Sequence, residues 1–165
     1  MNSTVVYLEN QRFLRHWWPL LLLPAVIALL PAALQLTGLR HNAEYVSWVG
    51  GATALLVAFL LLTLRLETRL DAAGVHYRMA PLHRTWRHRA WSQISRAYVR
   101  SYSPLGEYGG WGLRGLGSNR ALNIAGFDGL QLELHDGSRL LLGTQRPAKL
   151  QQALDALSRT PTPTP

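Results

Sequence analysis

Three groups of residues in this chain have types and spacings that suit chemistry. The first is GGWGLRG, residues 109–115, in which Gly110, Gly112 and Gly115 match G-x-G-x-x-G and Glu133 lies 18 residues beyond Gly115. That pattern binds a dinucleotide when a strand leads into it and a helix leaves it, with the pyrophosphate on the helix N-terminus and the acid on the ribose. The residues that follow, LGSNRALNIAGFDG, are too interrupted by Gly, Ser and Asn to open a helix. No alternation of strand and helix surrounds them, so dinucleotide binding lacks its structural context. The glycines read instead as the frame of a long loop in which Trp111 folds back onto a sheet, with Trp111 and Arg114 as candidate loop contacts.

The second group is histidine. His76, His83 and His88 suggest a metal, and His76 and His88 can face one another across a hairpin. Thiols are absent from the chain, carboxylates are absent nearby, and Arg78, Arg84, Arg87 and Arg89 crowd the same region and would repel a cation. Hydrolytic machinery is equally unsupported. No G-x-S-x-G occurs, and Ser138, between an acid and Gly on one side and Arg139 on the other, sits in a hairpin turn. The nine acids are scattered, and paired-carboxylate chemistry needs two in one cleft. The expectation is a protein that is not an enzyme and uses no cofactor or metal.

The third group is HRTWRHRAW, residues 83–91, followed by Arg96 and Arg100. Arg84, Arg87, Arg89, Arg96 and Arg100 form a candidate surface for anionic lipid headgroups or an acidic partner, at about 1 kcal/mol per base beside a charged bilayer. An equally weighted reading makes them a solvated strand face. Nucleic acid could be held by the same charges and rings, but a domain tethered next to a bilayer meets lipid first, so no nucleic-acid partner is expected. The wider balance agrees with an anionic partner: 17 Lys and Arg against nine acids, for a net charge of +8, with Lys149 the only lysine.

The elements that would position these groups begin with two uncharged stretches. Residues 19–39, PLLLLPAVIALLPAALQLTGL, and residues 46–64, VSWVGGATALLVAFLLLTL, carry no Asp, Glu, Lys or Arg. At 1.5 Å per residue the first would rise about 31 Å, the thickness of a hydrocarbon core. The pair therefore reads as a transmembrane helical hairpin over 19–64, after an N-terminal segment 1–18. His16, Trp17, Trp18, Tyr45 and Trp48 stand where an aromatic belt would, and Pro24 and Pro31 would kink the first helix. Arg12 and Arg15 before the hairpin and Arg65, Arg69, Arg78 and Arg84 after it outnumber Arg40 in the connection. That count places both termini in the cytoplasm and residues 40–45 outside.

Residues 65–159 alternate with a period of two through LRLETRL, VHYRMA, RTWRHRAW, RAYVRSY and ALNIA. LQLELHDGSRLLLGT reads as a hairpin across Asp136 and Gly137. RPAKLQQALDALSR closes the domain as an amphipathic helix, with Pro147 in its first turn and Leu150, Ala153, Leu154 and Leu157 on one stripe. Residues 160–165 read as a frayed tail.

About seven antiparallel strands capped by a C-terminal helix resemble the pleckstrin-homology (PH-like) fold. Placed behind two membrane helices, and with YGGWGLR and GFDGLQLELHDGSRLLLGTQRP in the chain, the sequence is similar to uncharacterised bacterial two-transmembrane-helix proteins with a cytoplasmic PH-like domain. The resemblance implies an α+β membrane protein of the bacterial inner membrane, with its PH-like domain over 65–159 in the cytoplasm. One departure is that the first strand connection is DAAG, with an acid and no base to grip a phosphate. The expected function is a membrane-anchored, non-enzymatic binding or scaffolding module at the cytoplasmic surface, with an unidentified protein partner or anionic headgroups. The alternative is a small accessory subunit acting through its transmembrane helices, for which GGATA at residues 50–54 would allow close helix packing. Self-association is a further partnership left open.

Overall fold

The computed structural model describes residues 5–36, 43–115 and 117–159, with the side chains of 30–32, 34–36, 43–47 and 159 left aside. The expected external connection 40–45 therefore has no described side chains, and the expected tail 160–165 lies outside the described residues. Two compact units arise: residues 1–11 with 65–165, and residues 12–64.

The second unit is helical. α1 (Leu14–Trp17) leads into a 3-10 turn, Trp18–Leu21, and then α2 (Leu22–Leu36) and α3 (Ala43–Thr63), which pack on each other. Its two ends meet where the Phe13 N–H donates to the Leu64 carbonyl at 3.0 Å. Pro24 and Ala54 are buried, while Leu22, Leu29, Trp48, Leu55, Leu56, Phe59 and Leu62 stay exposed.

The expected transmembrane hairpin is corrected here. Among the described residues, no helix is long and apolar enough to cross a membrane. Pro19 starts a 3-10 turn, so the uncharged run 19–39 is not one α-helix. α2 has 15 residues and rises about 22 Å, short of a hydrocarbon core of about 30 Å. The two-span membrane partnership falls with the hairpin. So do the inner-membrane location and the orientation inferred from the flanking arginines.

Among the described residues, the first unit has nine strands in two sheets, ordered β1-β2-β3-β4 and β5-β8-β9-β7-β6. In the first sheet, β2 (Arg65–Asp71) and β3 (Gly74–Ala80) pair antiparallel, with Leu66 opposite Met79, Thr68 opposite Tyr77 and Leu70 opposite Val75. All six are buried and form one face. Asp71 shapes the turn: its Oδ1 accepts the N–H groups of Ala73 at 2.9 Å and Gly74 at 3.2 Å. β4 (Arg87–Ala90) follows β3, and β1 (Val5–Arg12) is the opposite edge. β1 has no counterpart in the sequence reading. It buries Tyr7, Glu9 and Gln11 and exposes Val6 and Leu8.

In the second sheet, β8 (Asp128–Leu134) and β9 (Arg139–Thr144) form the hairpin expected across Asp136 and Gly137, with Leu130 opposite Leu142 and Leu132 opposite Leu140. β5 (Ile94–Ser101) flanks β8, and β6 (Gly112–Arg114) ends the sheet beyond β7 (Asn119–Asn123). α4 (Pro104–Tyr108) follows β5, and α5 (Pro147–Arg159) buries Leu150, Ala153 and Leu154. The PH-like expectation of about seven antiparallel strands is corrected on two counts. The strands divide four and five between two sheets, and β7 runs parallel to β9.

Candidate anion-binding cleft

Cross-strand register decides where the basic residues point. In β4, Arg87 lies opposite Tyr77 and Arg89 opposite Val75, while His88 lies opposite His76. Residues directly opposite share a face, so Arg87 and Arg89 stand on the face that carries buried Val75 and Tyr77. His76 and His88 stack on the other face with ring centroids 4.3 Å apart, and His76 Nε2 sits 3.1 Å from Asp71 Oδ2. Among the described residues no group of three His, Cys, Asp or Glu is arranged to hold a metal ion.

The second sheet supplies the other wall. The parallel pairing of β7 and β9 sets Arg120 beside Leu140 and Leu122 beside Leu142, and Asn119 beside Arg139. A cleft of ≈ 310 Å³ results, with Arg87, Arg89, Arg120 and His83 on its polar side, while Arg139 borders it from the other face of the sheet, opposite Glu133. Tyr77, Leu113, Leu122, Leu134 and Leu140 form its apolar side, and Asp136 is its one acid among the described residues. Arg120 is anchored by donating from Nε to the Gly117 carbonyl at 3.2 Å. Arg89 Nε is buried and has no hydrogen-bond partner among the described residues.

Two titrating groups at the cleft are displaced from their ordinary ranges. The Asp136 carboxyl is held below the usual carboxylate range by hydrogen bonds from Ser138, with the Arg89 charge adding to the effect. The His83 imidazole is pushed down by burial and by the Arg87 guanidinium. Its Nδ1 accepts the Met79 N–H at 3.3 Å, which leaves the proton of the neutral ring on Nε2.

The five arginines named from sequence are thus not one surface. Arg87 and Arg89 enter the cleft, while Arg84 is exposed outside it. Arg96 lies over the Tyr98 ring at 4.6 Å. Arg100 is committed to Glu107, through Nη1 at 3.2 Å and Nη2 at 2.7 Å, and to Gln131 through Nε at 3.1 Å. Trp111 and Arg114 serve their own loop. Trp111 Nε1 donates to the Gly126 carbonyl at 3.3 Å and its ring meets Phe127 edge-on, while Arg114 Nε donates to the Trp111 carbonyl at 2.9 Å.

Arg120 escapes a sequence reading because it sits alone after Gly and Ser, in GSNR. It gains meaning only when parallel pairing brings β7 beside β9.

Compared with known proteins, the chain matches no family model, no curated protein and no solved structure. The resemblance to two-helix PH-like membrane proteins is accordingly corrected: neither a family match nor a membrane-crossing helix among the described residues supports it.

Proposed function

We propose that this chain is a non-enzymatic binding module that holds an anionic group of its partner in the arginine-lined cleft. The observation that carries the reading is the convergence of Arg87, Arg89 and Arg120 from two strands on one cleft whose single acid among the described residues is Asp136. Several acids elsewhere already have structural work. Glu67 pairs with Arg78 and Arg65, Asp71 with Arg69, and Glu107 with Arg100. Glu9 is enclosed by the donors Tyr7, Thr144 and Gln145. No pair of carboxylates lines the cleft, which favours binding over acid–base catalysis.

Retention of the full-length chain on a heparin column, eluted with salt, tests the reading. The double variant Arg87→Gln/Arg89→Gln should elute at clearly lower salt than Arg84→Gln/Arg96→Gln, although both lose two charges. Equal elution of the two would overturn the cleft as the binding surface, since a diffuse charge effect depends on number and not on position.

A further inference from the structure

Resting on the binding-module reading, we infer that the cleft takes a small phosphate ester, with its phosphate among Arg87, Arg89 and Arg120 and its organic body against Leu113 and the leucines behind it.

Charge sets the class of ligand. Three guanidinium groups, of Arg87, Arg89 and Arg120, face one carboxylate, Asp136, leaving an excess of two positive charges in ≈ 310 Å³. A monoanion such as a carboxylate would neutralise one of them. A phosphate monoester carries close to two negative charges at neutral pH and has three oxygens that can accept from several guanidinium groups at once.

Donor geometry agrees. The buried Arg89 Nε–H lacks an acceptor among the described residues, and buried donors in native proteins are almost always matched. A guanidinium presents Nε and one Nη as a fork that fits two oxygens of a phosphate. The Nε bond of Arg120 to Gly117 fixes its plane in advance, so less order is lost on binding. Neutral His83 adds an Nε2–H at the same wall.

Size and apolar lining narrow the class further. Small-molecule clefts span about 300–1,000 Å³, and this one lies at the lower end. Leu122, Leu134, Leu140 and Tyr77 are buried behind the cleft, and Leu113, 46% exposed, is the apolar side chain at its mouth that free phosphate would leave in water. A linear nucleic acid would need a basic track continuing beyond the cleft, yet Arg100 is already bound to Glu107 and Gln131.

Calorimetric titration of the full-length chain with phenyl phosphate, benzoate and inorganic phosphate tests this. Phenyl phosphate should bind at least tenfold more tightly than either of the others. Arg89→Gln and Arg120→Gln should each weaken it about tenfold, Arg84→Gln should leave it unchanged, and Asp136→Asn should tighten it. Arg120 is exposed, so its variant keeps the test sound if Arg89→Gln disturbs folding. Benzoate binding as tightly as phenyl phosphate overturns the phosphate assignment, and inorganic phosphate doing so overturns the ester. Competition by phosphatidic acid vesicles against phenyl phosphate would move the source to a lipid and overturn the small-molecule assignment. Should phenyl phosphate fail to bind while heparin retention still depends on Arg87 and Arg89, this inference falls and the binding-module reading stands. Failure of both tests removes both.

Discussion

Glu9 Oε1 accepts the backbone N–H of Gln145 at 2.9 Å, across 136 positions of chain, while its Oε2 takes the Thr144 hydroxyl at 2.7 Å and the Tyr7 hydroxyl at 2.5 Å. One buried carboxylate thus ties the edge strand of the first sheet to the last strand of the second. Burial, together with the hydrogen bond to Glu9, pushes the Tyr7 hydroxyl well above the usual phenol range, so it stays protonated and donating. Glu9→Ala would strip the acceptor from three buried donors, and each orphaned donor costs about 1–3 kcal/mol. Urea unfolding should show a loss of about 3 kcal/mol or more for Glu9→Ala and about 1 kcal/mol for Tyr7→Phe. A Glu9→Ala chain as stable as wild type would mean that β1 contributes nothing to the unit.

Leu154→Asp should cost at least about 3 kcal/mol, because it sets an unpaired carboxylate among the residues α5 buries. Thermal melting reads this directly. The neighbouring exposed change Gln152→Ala is the control and should move the midpoint little. Equal melting of the two variants would detach α5 from the core.

Gly74 stands directly opposite Ala90 where β3 pairs with β4. A Cβ there would lie 2.1 Å from the Arg89 carbonyl oxygen, at a φ of +153°. The obstruction is backbone, which cannot swing aside as a side chain can. Gly74→Ala should therefore push β4 away, lowering stability by more than about 2 kcal/mol and weakening phenyl phosphate binding by displacing Arg89. Retained stability and affinity together would show that β4 is not held in this register.

The lowered pKa of His83 fixes the sign of a pH effect. The unfolded chain, with an ordinary histidine near 6.5, binds the proton more readily than the folded one. Stability is therefore complete above that value and declines as pH falls below it. Denaturant midpoints at pH 7.5 and 5.5 should differ more for wild type than for His83→Asn, whose side-chain oxygen can replace Nδ1 as the acceptor for Met79. An equal difference in both proteins would remove His83 as the responsible group.

How much of this was legible depends on whether partners are neighbours in sequence. β2 and β3 are, and Leu66, Thr68 and Leu70 facing Val75, Tyr77 and Met79 follow from alternation alone. The β8–β9 hairpin and the buried stripe of α5 were legible for the same reason. β1 was not, because its inward residues are Tyr7, Glu9 and Gln11 and its outward ones include Val6 and Leu8, the reverse of the usual pattern. Part of the cleft shared that fate. Arg87 and Arg89 were marked by their density, but Arg120 matters only through a parallel pairing that no hairpin rule supplies. The apolar runs misled for a different reason. Hydropathy counts residues, and it does not register that Pro19 opens a 3-10 turn and shortens the helix behind it.

The Glu9 network also orders events in time. β1 is synthesised long before β9, yet the groups that satisfy its carboxylate, Thr144 and Gln145, lie 135 and 136 positions further along the chain. Until they arrive, the strand has a charge it cannot bury and an apolar edge, Val6 and Leu8, that faces the surroundings. Such distant pairings slow folding and prolong the life of unpaired edges. This unit can therefore close only after β9 has been made.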